Sequence, residues 1–235
     1  MNPSEVDPSP VDAPTSLAGD HGVRWTARVW QRIRYRTLLK TVGTTGFMVV
    51  FFRAYFALLE NPRVPPTVLP EIWLDHWVDF TPSAFPFYLT LWVYVSLAPA
   101  LMGNLRALLW FAAWVGALCL LCLGIFWVWP TQTPPFGVDW GLYPGLSLIK
   151  GTDAAGNAFP SLHVASAVFS ACWLHRILRQ LGSPTWTLWL SAALCLAITW
   201  STLATLQHVA LDMFSGAALG LLFAAASLIH IRRTD

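Results

Sequence analysis

Long apolar runs alternate with shorter polar stretches along most of this chain. Six runs stand out: Thr41 to Leu59, Phe85 to Met102, Leu105 to Trp129, Ser161 to Leu178, Thr185 to Thr205 and His208 to Ile231. Each is close to the roughly 20 residues that an α-helix needs to cross the roughly 30 Å hydrocarbon core of a bilayer. Amphipathic periodicity carries little weight here, because a spanning helix can be apolar all round. The pattern predicts an all-α fold, a polytopic membrane bundle of six transmembrane helices. Two longer interruptions remain. Glu60 to Ala84 carries Glu71, Asp75 and Asp79 beside Trp73 and Trp77, and reads as a helix lying on the membrane surface. Pro130 to Pro160 is rich in Pro and Gly, and so long a loop in a compact domain is usually functional.

Composition supports the same class. Of 235 residues, 56% are hydrophobic and 11% charged, against about 25% charged in a soluble domain. Such a chain needs the lipid bilayer as its solvent. The net charge of +2 gives no reason to expect nucleic acid as a partner. Residues 1–23 are rich in Pro, Ser and Asp and read as a disordered tail, with no cleavable signal sequence expected. Residues 24–40 form a basic interfacial segment carrying Arg24, Arg28, Arg32, Arg34, Arg36 and Lys40, with Trp25 and Trp30 between them. Residues 41–235 make the membrane domain.

Charge placement orients that domain. With six spans both termini share one side, together with the basic segment, Arg106, Arg176, Arg179, Arg232 and Arg233; the other side receives only Arg63 and Lys150. The excess of Arg and Lys places both termini in the cytoplasm and the two long loops outside a plasma or inner membrane. Cys119, Cys122, Cys172 and Cys195 all sit in apolar runs and read as packing residues; the CxxC of Cys119 and Cys122 lacks a second ligand pair.

Ionisable residues inside spans are costly, and each is a site candidate. Asp212 lies about one turn into the sixth run, and His208 precedes it by four residues, which on a helix puts both on one face. Asp212 can accept the Nδ1 proton of His208 and leave Nε2 basic and free, the logic of a base held by a carboxylate. His163 opens the fourth run, behind Ser161. Both runs start on the outer side, so the two imidazoles share a membrane level. A helix start favours an anion, and Ser161 adds a hydroxyl. This set suits phosphoryl transfer, one histidine attacking phosphorus and the other protonating the leaving oxygen. The same three side chains could instead hold a metal, or be structural hydrogen bonds between helices. His21, His76, His175 and His230 carry no such constellation.

At these residues the sequence resembles the type 2 phosphatidic acid phosphatase (PAP2) superfamily, which has a block of the form PSGH followed by one of the form SRxxxxxHxxxD. Pro160-Ser161-Leu162-His163 matches the first with Leu162 for glycine; Ser201 to Asp212 matches the second with Thr202 for arginine. The stretch FPSLHVA, and Pro130-Thr131-Gln132-Thr133-Pro134-Pro135, look most like the branch that includes inositol phosphorylceramide synthases. The resemblance covers about Trp129 to Gly220, with a PAP2-like core at about 105–231. It implies His208 as nucleophile through a phosphohistidine intermediate, Asp212 as its orienting partner, His163 as general acid, and no metal or other cofactor. The family's first block, a lysine followed by arginine-proline, has no clear match. Lys150 is the one cation near the loop that can compensate, with Ser161, Ser201, Thr202 and Gln132 as neutral donors. A site short of cations favours a phosphodiester or a transferase reaction. The expected function is an integral membrane lipid phosphatase or lipid phosphotransferase acting at the outer face on a membrane lipid that carries a phosphate or phospho-headgroup. The rival is a non-catalytic lipid-binding or scaffold protein that keeps the fold. A proton-coupled transporter would want polar residues continuing to the cytoplasmic half of the last three spans, where only small hydroxyls occur.

Overall fold

The computed structural model describes residues 24–153 and 156–232. The tail at residues 1–23, with His21, lies outside the described residues, as does Arg233. Among the described residues the chain forms helices α1 (Trp25–Arg34), α2 (Thr37–Glu60), α3 (Phe85–Leu89), α4 (Leu91–Ala100), α5 (Leu105–Val128), α6 (Pro144–Asp153), α7 (Leu162–Leu181), α8 (Thr185–Ala204) and α9 (Ala210–Arg232). Two short strands, β1 (Thr67–Val68) and β2 (Thr131–Gln132), join the loops.

Five helical stretches are long and apolar enough to cross a membrane: Thr37–Glu60, Pro82–Ala100, Leu105–Val128, Thr185–Ala204 and Ala210–Ile229. The sixth expected span, α7, has the length of α8 but falls short in apolarity, because His163, His175, Arg176, Arg179 and Gln180 lie among its 20 residues. Of these only His163 is buried; Arg176 is half-buried, and His175, Arg179 and Gln180 are exposed near the helix C-terminus. More than half of α7 is buried, against α9, α8 and α4. By contrast, α2 buries only Lys40 and Tyr55 and presents most of its surface outward.

The tightest packing is between α7 and α9, and glycine makes it possible. A Cβ on Gly220 would stand 2.5 Å from the Ala165 carbonyl oxygen, and one on Gly216 would collide with the Ser161 carbonyl. Two glycines four residues apart on one helix let backbones approach, which in lipid substitutes for the missing hydrophobic drive between helices. The aromatic core is equally specific. Trp173 and Trp110 both reach α9, their indole N–H groups donating to Ser227 Oγ and to the Ser227 carbonyl, each at 3.0 Å. Buried indoles need such acceptors. Cys119, Cys122 and Cys195 are buried, Cys172 is half-buried, and all four are free thiols.

Three segments are zipped together at one end of the bundle. β1 pairs in parallel with β2, and Thr131 also bridges to Asn157. The ends of α2 and α5 are thereby tied to the start of α7. The segment 60–84 differs from the expected surface helix. Around Ile72–Trp77 it makes successive turns, with Asp75 N–H donating to the Ile72 carbonyl and Trp77 N–H to Leu74. Pro65, Pro66 and Pro70 interrupt helix formation, and the Asp75 carboxylate draws in the N–H groups of both Ile72 and Ala210, each at 2.7 Å. Trp73 and Trp77 stay exposed. The basic segment also divides differently. Arg36 takes a left-handed conformation (φ 49°) between α1 and α2, so Lys40 belongs to α2 and is buried.

Candidate functional site

The loop between α8 and α9 sets the site. α8 ends at Ala204, and the Thr202 carbonyl accepts from both Gln207 and His208 N–H groups, at 3.0 and 3.1 Å. Leu206 adopts φ 56°, unusual for a residue with a Cβ. This tight reversal ends at His208, just before α9, whose first N–H is capped by Asp75. Asp212 follows one turn later. Its Oδ2 lies 2.6 Å from His208 Nδ1, and its Oδ1 accepts from Met213 N–H at 3.0 Å. An ionised carboxylate can only accept, so against it Nδ1 is the donor. In the neutral imidazole Nε2 is then the nitrogen without hydrogen, and it is buried with no hydrogen-bond partner among the described residues.

His163 comes from the first turn of α7. Its ring centroid is 5.7 Å from that of His208, from a separate helix. The Ser161 N–H donates to the Asp212 backbone carbonyl at 3.0 Å, tying the α7 start to α9 at the site itself. Ser161 Oγ caps α7 by accepting from Val164 N–H at 3.3 Å. His163 Nε2 is 2.9 Å from the Tyr88 hydroxyl, and the two rings stack with centroids 4.8 Å apart. Trp92 closes edge-on at 5.7 Å.

The neutral donors named from sequence are placed unequally. Ser201 and Thr202 are buried beside the loop, but their hydroxyls donate back along α8, to the Ile198 and Thr199 carbonyls, each at 2.7 Å. Gln132 is half-buried on β2, its carbonyl accepting from Leu69 N–H. Lys150, on α6, reaches across to the α8–α9 loop. Its Nζ donates to the Leu206 carbonyl and to Thr133 Oγ1, the latter at 2.9 Å, and lies 4.8 Å from the centre of the Phe136 ring. Burial pulls its ammonium down to about 8, and attraction to the Asp212 carboxylate partly opposes that fall.

Tyr88 and Asn157 were not anticipated. Tyr88 lies in an aromatic-rich apolar run where nothing local distinguishes it. Asn157 is buried where three loop segments meet, donating to the Tyr55 carbonyl at 3.1 Å. A buried amide in a Gly-rich loop was the available signal.

An apolar cavity of about 240 Å³ opens from the two histidines. His163, His208 and Asn157 line one end and Lys40 and Pro99 the other, with Phe47, Phe51 and Val115 among the walls of α2 and α5. From Lys40 to Tyr55, α2 rises about 22 Å, more than half of the roughly 30 Å hydrocarbon core.

Residues 127–234 match the family model of the PAP2 superfamily. That segment holds His163, His208 and Asp212, and leaves out α1 to α4. Comparisons with curated proteins and with solved structures find no match.

Proposed function

We propose that this chain is an integral membrane phosphoryl-transfer enzyme of the PAP2 superfamily, a lipid phosphatase or lipid phosphotransferase. The observation that carries the reading is His208: its Nδ1 is held by Asp212 and its buried Nε2 has no partner among the described residues, 5.7 Å ring to ring from a second histidine. In this reading His208 Nε2 attacks phosphorus, the P–N bond forms as the P–O bond to the leaving group breaks, and His163 protonates the departing oxygen. Asp212 stabilises the imidazolium that forms. Water, or the hydroxyl of a bound alcohol, then attacks the phosphohistidine, with His163 taking the proton.

Lys150 is the cation that stands in for the family's missing basic residues, and Tyr88 can hand a proton to His163. The apolar cavity suits the hydrocarbon chain of an amphiphile, with its phosphate between the histidines and Lys150. Scarcity of cations at the site favours a phosphodiester over a dianion, and the stretch Phe159 to Ala165 resembles the headgroup-transferring branch. Transfer is therefore the favoured outcome of the common intermediate. The test is purified protein with a panel of lipid phosphate monoesters and phosphodiesters, with released phosphate and exchanged headgroups both measured. Turnover of either class supports the reading; no turnover of any would leave the non-catalytic rival standing.

The site is assigned to the outer face because Arg28, Arg32, Arg106, Arg176 and Arg179 gather at the opposite end of the bundle. A single cysteine in residues 133–139, in a chain otherwise free of cysteine, should react with an impermeant reagent in intact cells. Reaction only after lysis would reverse the orientation.

A further inference from the structure

A polar pocket lies at the end of the bundle away from His208, between α1, the α4–α5 turn and α7, with a volume of about 320 Å³. That is within the range of small-ligand sites, about 300–1,000 Å³. Three arginines from three different elements line it: Arg32 of α1, Arg106 of α5 and Arg176 of α7. Its floor is apolar, formed by Met102, Trp173 and Ile177, all buried. No Asp or Glu lines it among the described residues. The described carboxylates run from Glu60 to Asp212, in the loops and helix ends of the other face.

Arg32 is the informative member. It is half-buried, and its guanidinium has no hydrogen-bond or ion-pair partner among the described residues. Burial lowers its pKa from the ordinary value, with no opposing charge among the described residues to restore it. Its position is nevertheless fixed. Lys40 Nζ donates to the Arg32 carbonyl at 2.7 Å and to the Ala100 carbonyl at 2.8 Å, clamping α1 to the end of α4. The side chain lies across Gly103, where an added Cβ would stand 3.1 Å from Arg32 Nε. A desolvated, anchored cation among other arginines is a binding arrangement for an anion with several acceptor oxygens.

We propose that this pocket binds the phosphate group of an anionic membrane lipid, on the face opposite the His208 site. The phosphate lies among Arg32, Arg106 and Arg176, and the apolar floor receives the first carbons below it. Trp30, exposed on α1, sits at the same end, as a side chain at the headgroup level would. The site does not depend on the proposed chemistry at His208, and its occupant is held rather than transformed.

The test uses the full chain in detergent and native mass spectrometry, with dioleoyl phosphatidic acid, dioleoyl phosphatidylcholine and inorganic phosphate as separate probes. One phosphatidic acid should be retained at least tenfold more tightly than phosphatidylcholine. Arg32→Gln should weaken that binding about tenfold, while Arg63→Gln, at an exposed arginine in neither site, should leave it unchanged. Gly103→Val, which crowds the Arg32 side chain without changing charge, should weaken it too and guards against a folding defect in the first variant. Binding unaffected by both Arg32→Gln and Gly103→Val, or lost only in Arg63→Gln, would overturn the site. Inorganic phosphate held as tightly as the lipid would overturn the lipid source. Turnover in Arg32→Gln reports on the His208 site separately, so the two readings fail independently.

Discussion

Replacing Asp212 by Asn separates two explanations of what the carboxylate does. Both of its oxygens face donors: Oδ2 takes the His208 Nδ1 proton at 2.6 Å and Oδ1 takes Met213 N–H at 3.0 Å. An amide has one acceptor and one donor end, so its NH₂ must face one of these two groups. Met213 N–H is fixed as a donor, whereas His208 can move its proton to Nε2. The amide therefore turns its NH₂ to His208, and the nucleophilic nitrogen becomes the protonated one. If Asp212 served only as a charge-assisted hydrogen bond, its loss would cost about 1.5–3 kcal/mol, roughly 10- to 150-fold. The wrong tautomer predicts a loss of about 10⁴-fold, the scale seen when a triad carboxylate becomes an amide. Asp212→Ala imposes no tautomer, so it should be no slower than Asp212→Asn. Initial rates on one phosphate ester for wild type and both variants decide the matter. An Asn variant within about tenfold of wild type, or clearly faster than the Ala variant, would refute the reasoning.

Other outcomes follow from the same geometry. His163→Ala should slow turnover by about 10²–10⁴-fold, and much less for a substrate whose leaving group needs no proton; equal losses for both would remove it as the acid. Lys150, with a pKa near 8, carries its charge below that pH and loses it above, so KM should climb as pH rises past 8, and Lys150→Arg should flatten the profile. A profile unchanged by that substitution would assign the pH dependence elsewhere. Gly216→Ala should destabilise the α7–α9 pair by about 1–3 kcal/mol, the usual cost of overpacking, and lower activity through the displaced Ser161–His163 segment; unfolding in detergent and turnover together would show it, and an unchanged variant would deny the close approach.

The helical runs were legible because a bilayer demands long apolar stretches, and little else in a sequence produces them. α7 is less apolar than its neighbours because His163 is buried at the site while His175, Arg179 and Gln180 are exposed near its C-terminus, and hydropathy does not distinguish those surroundings. His208 and Asp212 could be paired from spacing alone, since i and i+4 share a helix face. Their proximity to His163 depends on α7 and α9 starting at one face; Gly216 and Gly220, which let those helices approach, lie four residues apart, a spacing that does not by itself name the helix they meet. Tyr88 could not be found, because its partner lies 75 residues away. Ser201 and Thr202 were named as donors on motif position; only the structure reveals that their hydroxyls are already bonded along α8.

The central claim is a covalent phosphohistidine on His208. It is tested most directly by mixing the purified chain with a substrate radiolabelled at the transferred phosphorus and quenching within the first turnover in alkaline detergent. Wild type should carry label that survives alkali, is released by acid, and maps to the peptide containing His208; His208→Ala, folded to the same degree, should carry none. Label on another residue, or full turnover in His208→Ala, would contradict the account.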